Sequence, residues 1–295
     1  VEKYRPTKLS EITSQKDVVI SLRKSLKTHN IPHLIFFGPS GCGKTSSILA
    51  LSRELFGEKY FNSKIIELNA SDERGINVVR DKIKTYAKHS VSNNSDGPGF
   101  KIIILDEADS MTPDSQFALR RIMEEYSSIT RFCIICNYHN KIIDPIVSRC
   151  SLFRFNPISN DELIKKLKYI SEKEKMKCSD KLLRKIVKIC RGDLRKGINF
   201  LQRCHNYFGD NINDKLLDDI SGIINSEELK KLIMLSYNKE SKKVDNIILK
   251  FYNDGYSLVN QILELHDIIV GSKKFSSIEK SNIIKKLVEI DQNLI

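Results

Sequence analysis

A glycine-rich loop between a strand-like and a helix-like segment constrains this chain more than any other feature. Residues 38–45 read Gly-Pro-Ser-Gly-Cys-Gly-Lys-Thr, follow the apolar run 34–37 and precede the stretch 46–51. Such spacing lets backbone N–H groups surround phosphate oxygens, with the lysine reaching the β and γ phosphates and the threonine ligating magnesium. We therefore expect an α/β domain that binds ATP or GTP, rather than an ordinary turn. The expected nucleotide contacts are Gly38, Pro39, Ser40, Gly41, Cys42, Gly43, Lys44, Thr45 and Ser46.

A second motif places two adjacent carboxylates at the end of a buried strand. The strand-like run 101–105, apolar from Ile102 onward, is followed by Asp106 and Glu107, and this strand end is expected beside the phosphate loop. Asp106 is predicted to hold magnesium through its water shell, and Glu107, on the other side of the pleat, to accept the proton of an attacking water. Without the phosphate loop, helix capping would be the preferred interpretation of these carboxylates.

Composition indicates a globular chain of two or three domains, with 295 residues of which 40% are hydrophobic. No apolar stretch approaches ~20 residues and no signal-peptide pattern occurs, so we expect an intracellular protein. The seven cysteines are odd in number and scattered, which predicts reduced thiols. Cys133 and Cys136 have the spacing of a zinc or redox pair, but their position in a strand-like run favours core packing.

Positive charge is concentrated in the first two thirds of the chain. Residues 1–205 hold 37 basic and 23 acidic residues, whereas residues 206–295 hold 12 and 14. An excess of this size suits a polyanion such as DNA or RNA. A solvated lysine-rich surface explains it equally well from charge alone.

The pattern of apolar residues predicts three consecutive domains. Residues 1–158 alternate strands and helices, as in an α/β domain with a parallel sheet. Residues 159–207 predict a small three-helix lid, opened by a capping box from Ser159 to Glu162, with Ser179 and Asp180 opening its second helix. Residues 208–295 are helical in pattern and end within that pattern, which predicts a collar that is incomplete. The expected strands are 34–37, 64–68, 101–105, 131–136 and 152–155, with a helix at 76–88 and a surface loop at 90–99.

Six motifs together resemble those of a known family. They are Val-Glu-Lys-Tyr-Arg-Pro at 1–6, the phosphate loop, Glu-Leu-Asn-Ala-Ser-Asp-Glu-Arg-Gly-Ile at 67–76, Asp-Glu-Ala-Asp at 106–109, Ser-Arg-Cys at 148–150 and Gly-Asp-Leu-Arg at 192–195. In this order they resemble the replication factor C small subunits, the AAA+ ATPases of sliding-clamp loaders. Residues 130–138 and 192–202 look closest to one particular human subunit. Ser14 replaces the family's usual glycine, and Ser40 and Cys42 replace a more common proline and threonine, which affects at most nucleotide affinity.

The resemblance assigns further residues to the nucleotide. Asn137, at the end of the fourth strand, corresponds to sensor 1 of the family, although an asparagine there is by itself more typical of a turn. Arg195 corresponds to sensor 2, which links the lid to the γ-phosphate. The resemblance places Val1, Tyr4, Arg5, Pro6, Ile12 and Thr13 around the adenine and ribose.

Arg149 is expected to act on a neighbouring subunit. It follows the fourth strand, on the far side of the domain from Lys44, and cannot easily reach its own nucleotide. In the family this arginine stabilises charge on the phosphoryl group of the next subunit's ATP, so function requires an oligomer. Without the surrounding motif, a local salt bridge would be the preferred interpretation.

Two helices carry candidate DNA contacts. Arg80, Lys84 and Lys88 repeat at four-residue spacing beside an apolar stripe. Arg120 and Arg121 belong to a helix that Thr112 caps and Pro113 begins. Clamp loaders line their spiral with such helices, which follow phosphates rather than bases. A solvated helix face is the alternative for both.

The resemblance implies a heteropentameric clamp loader in the nucleus. Its cofactors would be ATP and Mg²⁺, and its partners the other replication factor C subunits, the sliding clamp (proliferating cell nuclear antigen) and primer–template DNA, with no membrane. The first alternative is an ATP-binding structural subunit of a checkpoint or cohesion loader. The second is a hexameric AAA+ DNA motor, which the helical segment after residue 208 fits less well.

Overall fold

The computed structural model of the protein describes residues 1–28, 30–71, 76–88, 98–209, 222, 224–256 and 258–294. The chain divides into two compact units, Val1–Leu201 and Gln202–Ile295. Most of the surface loop expected at 90–99 lies outside the described residues, as do residues 72–75 of one family motif. No helix in the described ranges has the length and apolar character needed to cross a membrane.

The first unit contains a parallel sheet, as expected. Within the described residues its strands have the order β2-β3-β4-β1-β5. Their bounds lie within two residues of the predicted ones, and β5 starts earliest relative to the prediction because Cys150 already pairs with His33. The strands are β1 (His33–Phe37), β2 (Ile65–Asn69), β3 (Lys101–Asp106), β4 (Thr130–Cys136) and β5 (Cys150–Arg154).

Helices cover both faces of this sheet, and α2 breaks at Gly57, whose φ of 67° is not helical. The helices of the first unit are α1 (Lys16–Thr28), α2 (Lys44–Lys64), α3 (Ile76–Lys88), α4 (Pro113–Glu125), α5 (Asp144–Val147), α6 (Asn160–Lys173), α7 (Asp180–Cys190) and α8 (Leu194–Phe208), the last of which continues into the second unit. Short 3-10 helices occupy Glu2–Tyr4, Leu9–Glu11, Ala108–Ser110 and His139–Lys141.

Alternate residues of the central strands enter two separate cores. Leu34 and Phe36 of β1 pack with α1 and α2, whereas Ile35 packs with α3 and α4. All three are almost fully buried, so β1 is continuously apolar from Leu34 to Phe37 rather than alternating. Cys133 and Cys136 are buried on opposite faces of β4, which is the core packing expected of them. All seven cysteines lie in the described part of the chain and none of them forms a disulfide, although Cys150 and Cys178 are only half-buried.

The helix starts are only partly as predicted. Thr112 caps α4 through the Ser115 N–H and Ser179 caps α7 through the Leu182 N–H, as expected. The capping box of α6 is wrong, because the Ser159 side chain makes no capping bond. Instead, the Ser159 N–H donates to the Ser14 hydroxyl at 3.4 Å, and this hydroxyl donates to the Glu162 carboxylate.

The second unit contains helices α9 (Ser226–Tyr237), α10 (Ser241–Asn253), α11 (Leu258–Gly271) and α12 (Ser277–Leu294). Ile224, Leu229 and Phe251 form its buried cluster. Buried Gln261 holds the chain before α9, accepting from the Ile224 N–H at 3.0 Å and donating to the Gly222 carbonyl at 2.9 Å. The helical pattern expected from residue 208 is therefore confirmed for the described part of this segment.

His33 is expected to make the protein less stable in acid. Burial at the start of β1, together with nearby Arg131, lowers its pKa to about 4, and its Nδ1 accepts from the Phe132 N–H at 3.1 Å. The folded protein favours the neutral ring, so this stabilisation is present above about pH 6.5 and is lost as the pH falls towards about 4. We expect His33 to lower the free energy of unfolding by about 1–2 kcal/mol over this interval, allowing for its partial exposure.

Urea unfolding at about pH 7 and about pH 4.5 measures this loss. His33→Gln keeps an acceptor for the Phe132 N–H but has no ionising ring, so its stability should depend less on pH. The same pH dependence in this variant and the wild type would show that another group is responsible.

Candidate nucleotide-binding site

The glycine loop between β1 and α2 is held in a conformation that side chains disfavour. Gly41 has a φ of 66° and Gly38 a φ of 144°. A Cβ on Gly38 would lie 2.2 Å from the Phe155 carbonyl oxygen, and one on Gly41 would lie 1.8 Å from the Asp193 carboxylate. The loop therefore requires glycine at both positions, for conformational freedom and for space.

Lys44 connects the loop to the end of β4. Its ammonium donates to the carbonyls of Gly38 and Pro39 at 2.7 and 2.8 Å, and to the Asn137 side-chain oxygen at 2.9 Å. The lysine is buried, so these oxygens offset the cost of removing its charge from water. Asn137 is thus brought directly to the phosphate loop.

The two residues expected to hold magnesium lie together. The Thr45 hydroxyl donates to Asp106 Oδ2 at 2.7 Å, although β4 separates β3 from β1 in the sheet. The carboxyl end of β3 therefore reaches across the end of β4 to the start of α2. Hydroxyl and carboxylate oxygens are the ligand types that magnesium prefers, so this pair fits the ion.

Glu107 departs from the predicted geometry. Strand β3 ends at Asp106, and Glu107 has a left-handed φ of 55°, with its N–H donating to Asp106 Oδ1 at 2.8 Å. Because Glu107 no longer follows the pleat, the expectation that it points to the other side is wrong, and both carboxylates line one cavity. A strained left-handed glutamate costs roughly 1 kcal/mol and is typical of functional sites.

One cavity contains nearly all of the expected nucleotide contacts. Gly38 and Pro39 are not among its lining residues, but their carbonyl groups accept hydrogen bonds from Lys44, which does line the cavity. The lining includes the predicted residues Val1, Tyr4, Arg5, Pro6, Ile12, Thr13, Ser40, Gly41, Cys42, Gly43, Lys44, Thr45, Ser46, Asp106, Glu107, Asn137 and Arg195, and also Cys136, Ile158, Lys166, Leu194 and Ile198.

Three polar residues at this site were not predicted from the sequence. Lys166 of α6 reaches the cavity. Asp109 accepts from the N–H groups of Asn137 and Tyr138 at 3.2 and 3.3 Å, which fixes the end of β4. Asp193 accepts from the Lys196 N–H at 2.9 Å at the start of α8 and from the Ser40 hydroxyl at 3.0 Å. The only available signal was the presence of Asp109 and Asp193 inside quoted motifs.

The predicted trans-acting arginine lies outside the cavity lining. Arg149 Nη2 is 2.6 Å from Glu124 Oε1, and its Nη1 donates to the Pro145 carbonyl at 2.6 Å. The same glutamate oxygen is 3.0 Å from Arg120 Nε. These arginines, Arg120 first, lower the pKa of Glu124. Arg149 therefore makes the local salt bridge considered from the sequence while staying partly exposed, at 38%.

The candidate DNA contacts are less well defined. Lys84 and Lys88 are exposed on α3 beside buried Ile83 and Ala87, so the predicted cationic and apolar faces are confirmed for this part of the helix. The Arg80 side chain lies outside the described residues. On α4, Arg121 is exposed, whereas Arg120 is half-buried and paired with Glu124.

Substituting alanine for Gly41 is expected to disturb the lid as well as the loop. The new Cβ would occupy the position of the Asp193 carboxylate, so the contact between the loop and α8 must open. We expect nucleotide affinity to fall by more than about tenfold, since both the loop conformation and the lid contact are lost. Titration with a fluorescent nucleotide measures this. Gly57→Ala, where a Cβ meets no atom within 4 Å but φ is also positive, is the matched control.

Comparisons with known proteins define the class first. Residues 34–158 match the family "ATPase family associated with various cellular activities (AAA)", and residues 165–204 match "RCF1/5-like, AAA+ ATPase lid domain". The solved Thermotoga maritima RuvB branch migration motor shares the fold, with a TM-score of 0.59 and 17% identity over 79% of each chain. The chain therefore has the fold and motifs of an AAA+ ATPase.

The curated relatives define the family. Replication factor C subunit 2 of Schizosaccharomyces pombe is 44% identical over all of this chain and 88% of its own length. Human subunit 4, which residues 130–138 and 192–202 resemble, is 46% identical over all of this chain and 82% of its own length. A small subunit of Sulfurisphaera tokodaii is 42% identical over 92% of this chain. The chain belongs to the replication factor C small subunits, the AAA+ ATPase components of clamp loaders.

Proposed function

We propose that this chain binds ATP with Mg²⁺ in the cavity and hydrolyses it as one subunit of a heteropentameric clamp loader in the nucleus. The observation that carries the proposal is the convergence of Lys44, Asn137 and Arg195 with the paired carboxylates on one cavity. This arrangement supports the predicted roles of the site residues. The loader would open the sliding clamp (proliferating cell nuclear antigen), place it on primer–template DNA and release it after hydrolysis.

The site residues divide the chemistry among them. Lys44 and the loop N–H groups would hold the β and γ phosphates, and Thr45 and Asp106 would hold magnesium, which neutralises phosphate charge. Glu107 would accept a proton from the attacking water, and Asn137 would orient that water or contact the γ-phosphate. Arg195 would contact the γ-phosphate, so that the position of the lid depends on whether that phosphate is present.

The adenine and ribose would lie against the N-terminal segment. Tyr4 and Arg5 line the cavity beside the loop, and the segment is fixed by buried Gln15, whose Nε2 donates to the Asn156 carbonyl at 2.7 Å.

The boundary between the nucleotide-binding domain and the lid at residue 158 remains our prediction. It is supported by family models that end at residue 158 and begin again at residue 165.

Arg149 would complete the site of a neighbouring subunit, and the exposed cations of α3 and α4 would follow DNA phosphates. Both roles are supported by position, because Arg149 does not line this chain's own cavity, and Lys84 and Lys88 are exposed. ATP would then join two subunits, so that its hydrolysis alters the geometry of the whole ring.

The proposal is tested by ATP hydrolysis in the reconstituted complex, with and without clamp and primed DNA. We expect strong stimulation, and we expect Lys44→Ala to abolish both nucleotide binding at this site and clamp loading. Lys59→Ala, an exposed lysine of α2 away from the loop, is the matched control. If loading continued with Lys44→Ala, the structural-subunit alternative would replace the proposal. Strand separation or translocation by the complex would instead indicate a DNA motor.

A further inference from the structure

Three lid carboxylates accept hydrogen bonds from hydroxyl groups in the first forty residues. The Tyr4 hydroxyl donates to Glu174 at 2.6 Å, the Ser40 hydroxyl donates to Asp193 at 3.0 Å, and the Ser14 hydroxyl donates to Glu162. Residues 159–207 contain six acidic residues among 14 lysines and arginines. Half of the lid's few carboxylates therefore bind the nucleotide-binding part of the chain.

The three bonds lie around the nucleotide cavity rather than at one edge of it. Tyr4 and Ser40 both line the cavity. Asp193 immediately precedes α8, the helix that carries Arg195, and Ser14 contacts the start of α6, the helix that carries Lys166. The bonds to Asp193 and Glu162 therefore hold the starts of α8 and α6, the two lid helices that carry the cavity-lining cations Arg195 and Lys166.

Near these bonds, the backbone of Asn156, just before the lid begins, is held in place by Gln15. Gln15 both donates to the Asn156 carbonyl at 2.7 Å and accepts from the Asn156 N–H at 3.2 Å. Because Gln15 is buried, residue 156 is held firmly to the nucleotide-binding part. Motion of the lid must then occur beyond this residue, where the three hydroxyl–carboxylate bonds resist it.

We propose that Tyr4, Ser14 and Ser40 are positioning residues that form a latch holding the lid closed over bound nucleotide. Each hydroxyl is neutral and each bond is partly exposed, so each is weak enough to break when the lid rotates. The Glu174 oxygen that accepts from Tyr4 also accepts from the exposed Lys3 ammonium at 2.8 Å, a surface ion pair that adds little to the bond. Together they keep Arg195 and Lys166 at the cavity and slow nucleotide release. The inference rests on nucleotide binding at the proposed site, which it extends to the control of release.

The backbone at Ser14 supports this role. Its φ of 72° is a conformation that glycine adopts at lower cost than serine. A serine there is strained, and its hydroxyl bonds only to the lid residues Ser159 and Glu162 among the contacts described. The two hydrogen bonds to the lid offset the backbone strain, which explains why a serine is present at a position whose conformation favours glycine.

The test combines two measurements on the whole chain in its reconstituted complex. Variants Tyr4→Phe, Ser14→Gly and Ser40→Ala each remove one hydroxyl, and Ser63→Ala, whose hydroxyl donates to Tyr60 within α2, is the matched control. Stopped-flow release of a fluorescent ADP should be about fivefold faster in each variant and more than about fiftyfold faster in the triple variant. Amide exchange without nucleotide should become faster at 159–165 and 193–199, where the lid helices begin.

The two measurements separate a latch from direct contact with the nucleotide. Faster release without faster exchange would mean that the side chains only contact the nucleotide, and the latch would be wrong. Unchanged exchange and unchanged release in the triple variant would also overturn it. If the wild type failed to bind nucleotide, the proposed site would fail, whereas the exchange measurement would still show whether these hydroxyls hold the lid.

Discussion

Arg149→Ala is expected to lower ATP hydrolysis by about 10³-fold at the site that this arginine completes. In the proposed role, the lost charge would stabilise the transferring phosphoryl group of a neighbour's nucleotide, so nucleotide binding by the variant chain itself should not change. Arg149 is partly exposed, and Glu124 and the Pro145 carbonyl hold it outside the lining of this chain's own cavity. Single-turnover hydrolysis in the reconstituted complex measures the effect, with the exposed Arg184→Ala of α7 as the control.

Combining Arg149→Ala with Lys44→Ala shows in which subunit the arginine acts. If Arg149 serves a neighbour, the two changes inactivate different sites, and the double variant should lose the activity of both. If it served its own nucleotide, adding it to Lys44→Ala would cause no further loss. The second result would contradict the proposed action in trans.

Glu107→Gln is expected to lower hydrolysis by about 10²–10⁴-fold while preserving ATP binding. The amide keeps the size of the side chain and its left-handed position but cannot accept a proton from water. Binding is measured by equilibrium titration and hydrolysis by phosphate release within one turnover. Exposed Glu58→Gln of α2 is the control, and unchanged hydrolysis with Glu107→Gln would assign the proton to another group.

Local spacing predicted the features whose physics is local. The phosphate loop, the buried strands and the caps at Thr112 and Ser179 each depend on residues a few positions apart. The arrival of Asn137, Arg195 and the N-terminal segment at one cavity was anticipated from the family resemblance, because neither periodicity nor charge brings distant segments together.

One error occurred where a distant residue competed with a local one. Ser14 lies 145 positions from Ser159, and it bonds to both the Ser159 N–H and the Glu162 carboxylate, the two groups that one bond of the capping box would have joined. Glu107 departs from the pleat for a local reason, because β3 ends at Asp106 and the Glu107 N–H turns back to donate to Asp106 Oδ1. Asp109 and Asp193 accept hydrogen bonds from residues on other elements, and Lys166 lines the cavity from α6. The motifs that contain the two aspartates were the only sequence signal for these three residues.

The close approach of Gly41 to Asp193 limits how this chain can vary during evolution. A Cβ at residue 41 would overlap the carboxylate at residue 193, and the Leu194 N–H also donates to the Gly41 carbonyl at 3.2 Å. A change in the loop is therefore tolerated only together with a smaller or displaced side chain in the lid. Although 152 positions separate them, residues 41 and 193 are expected to covary among related sequences. A chimera that exchanges the lid alone must carry a residue at position 193 that is compatible with the residue at position 41.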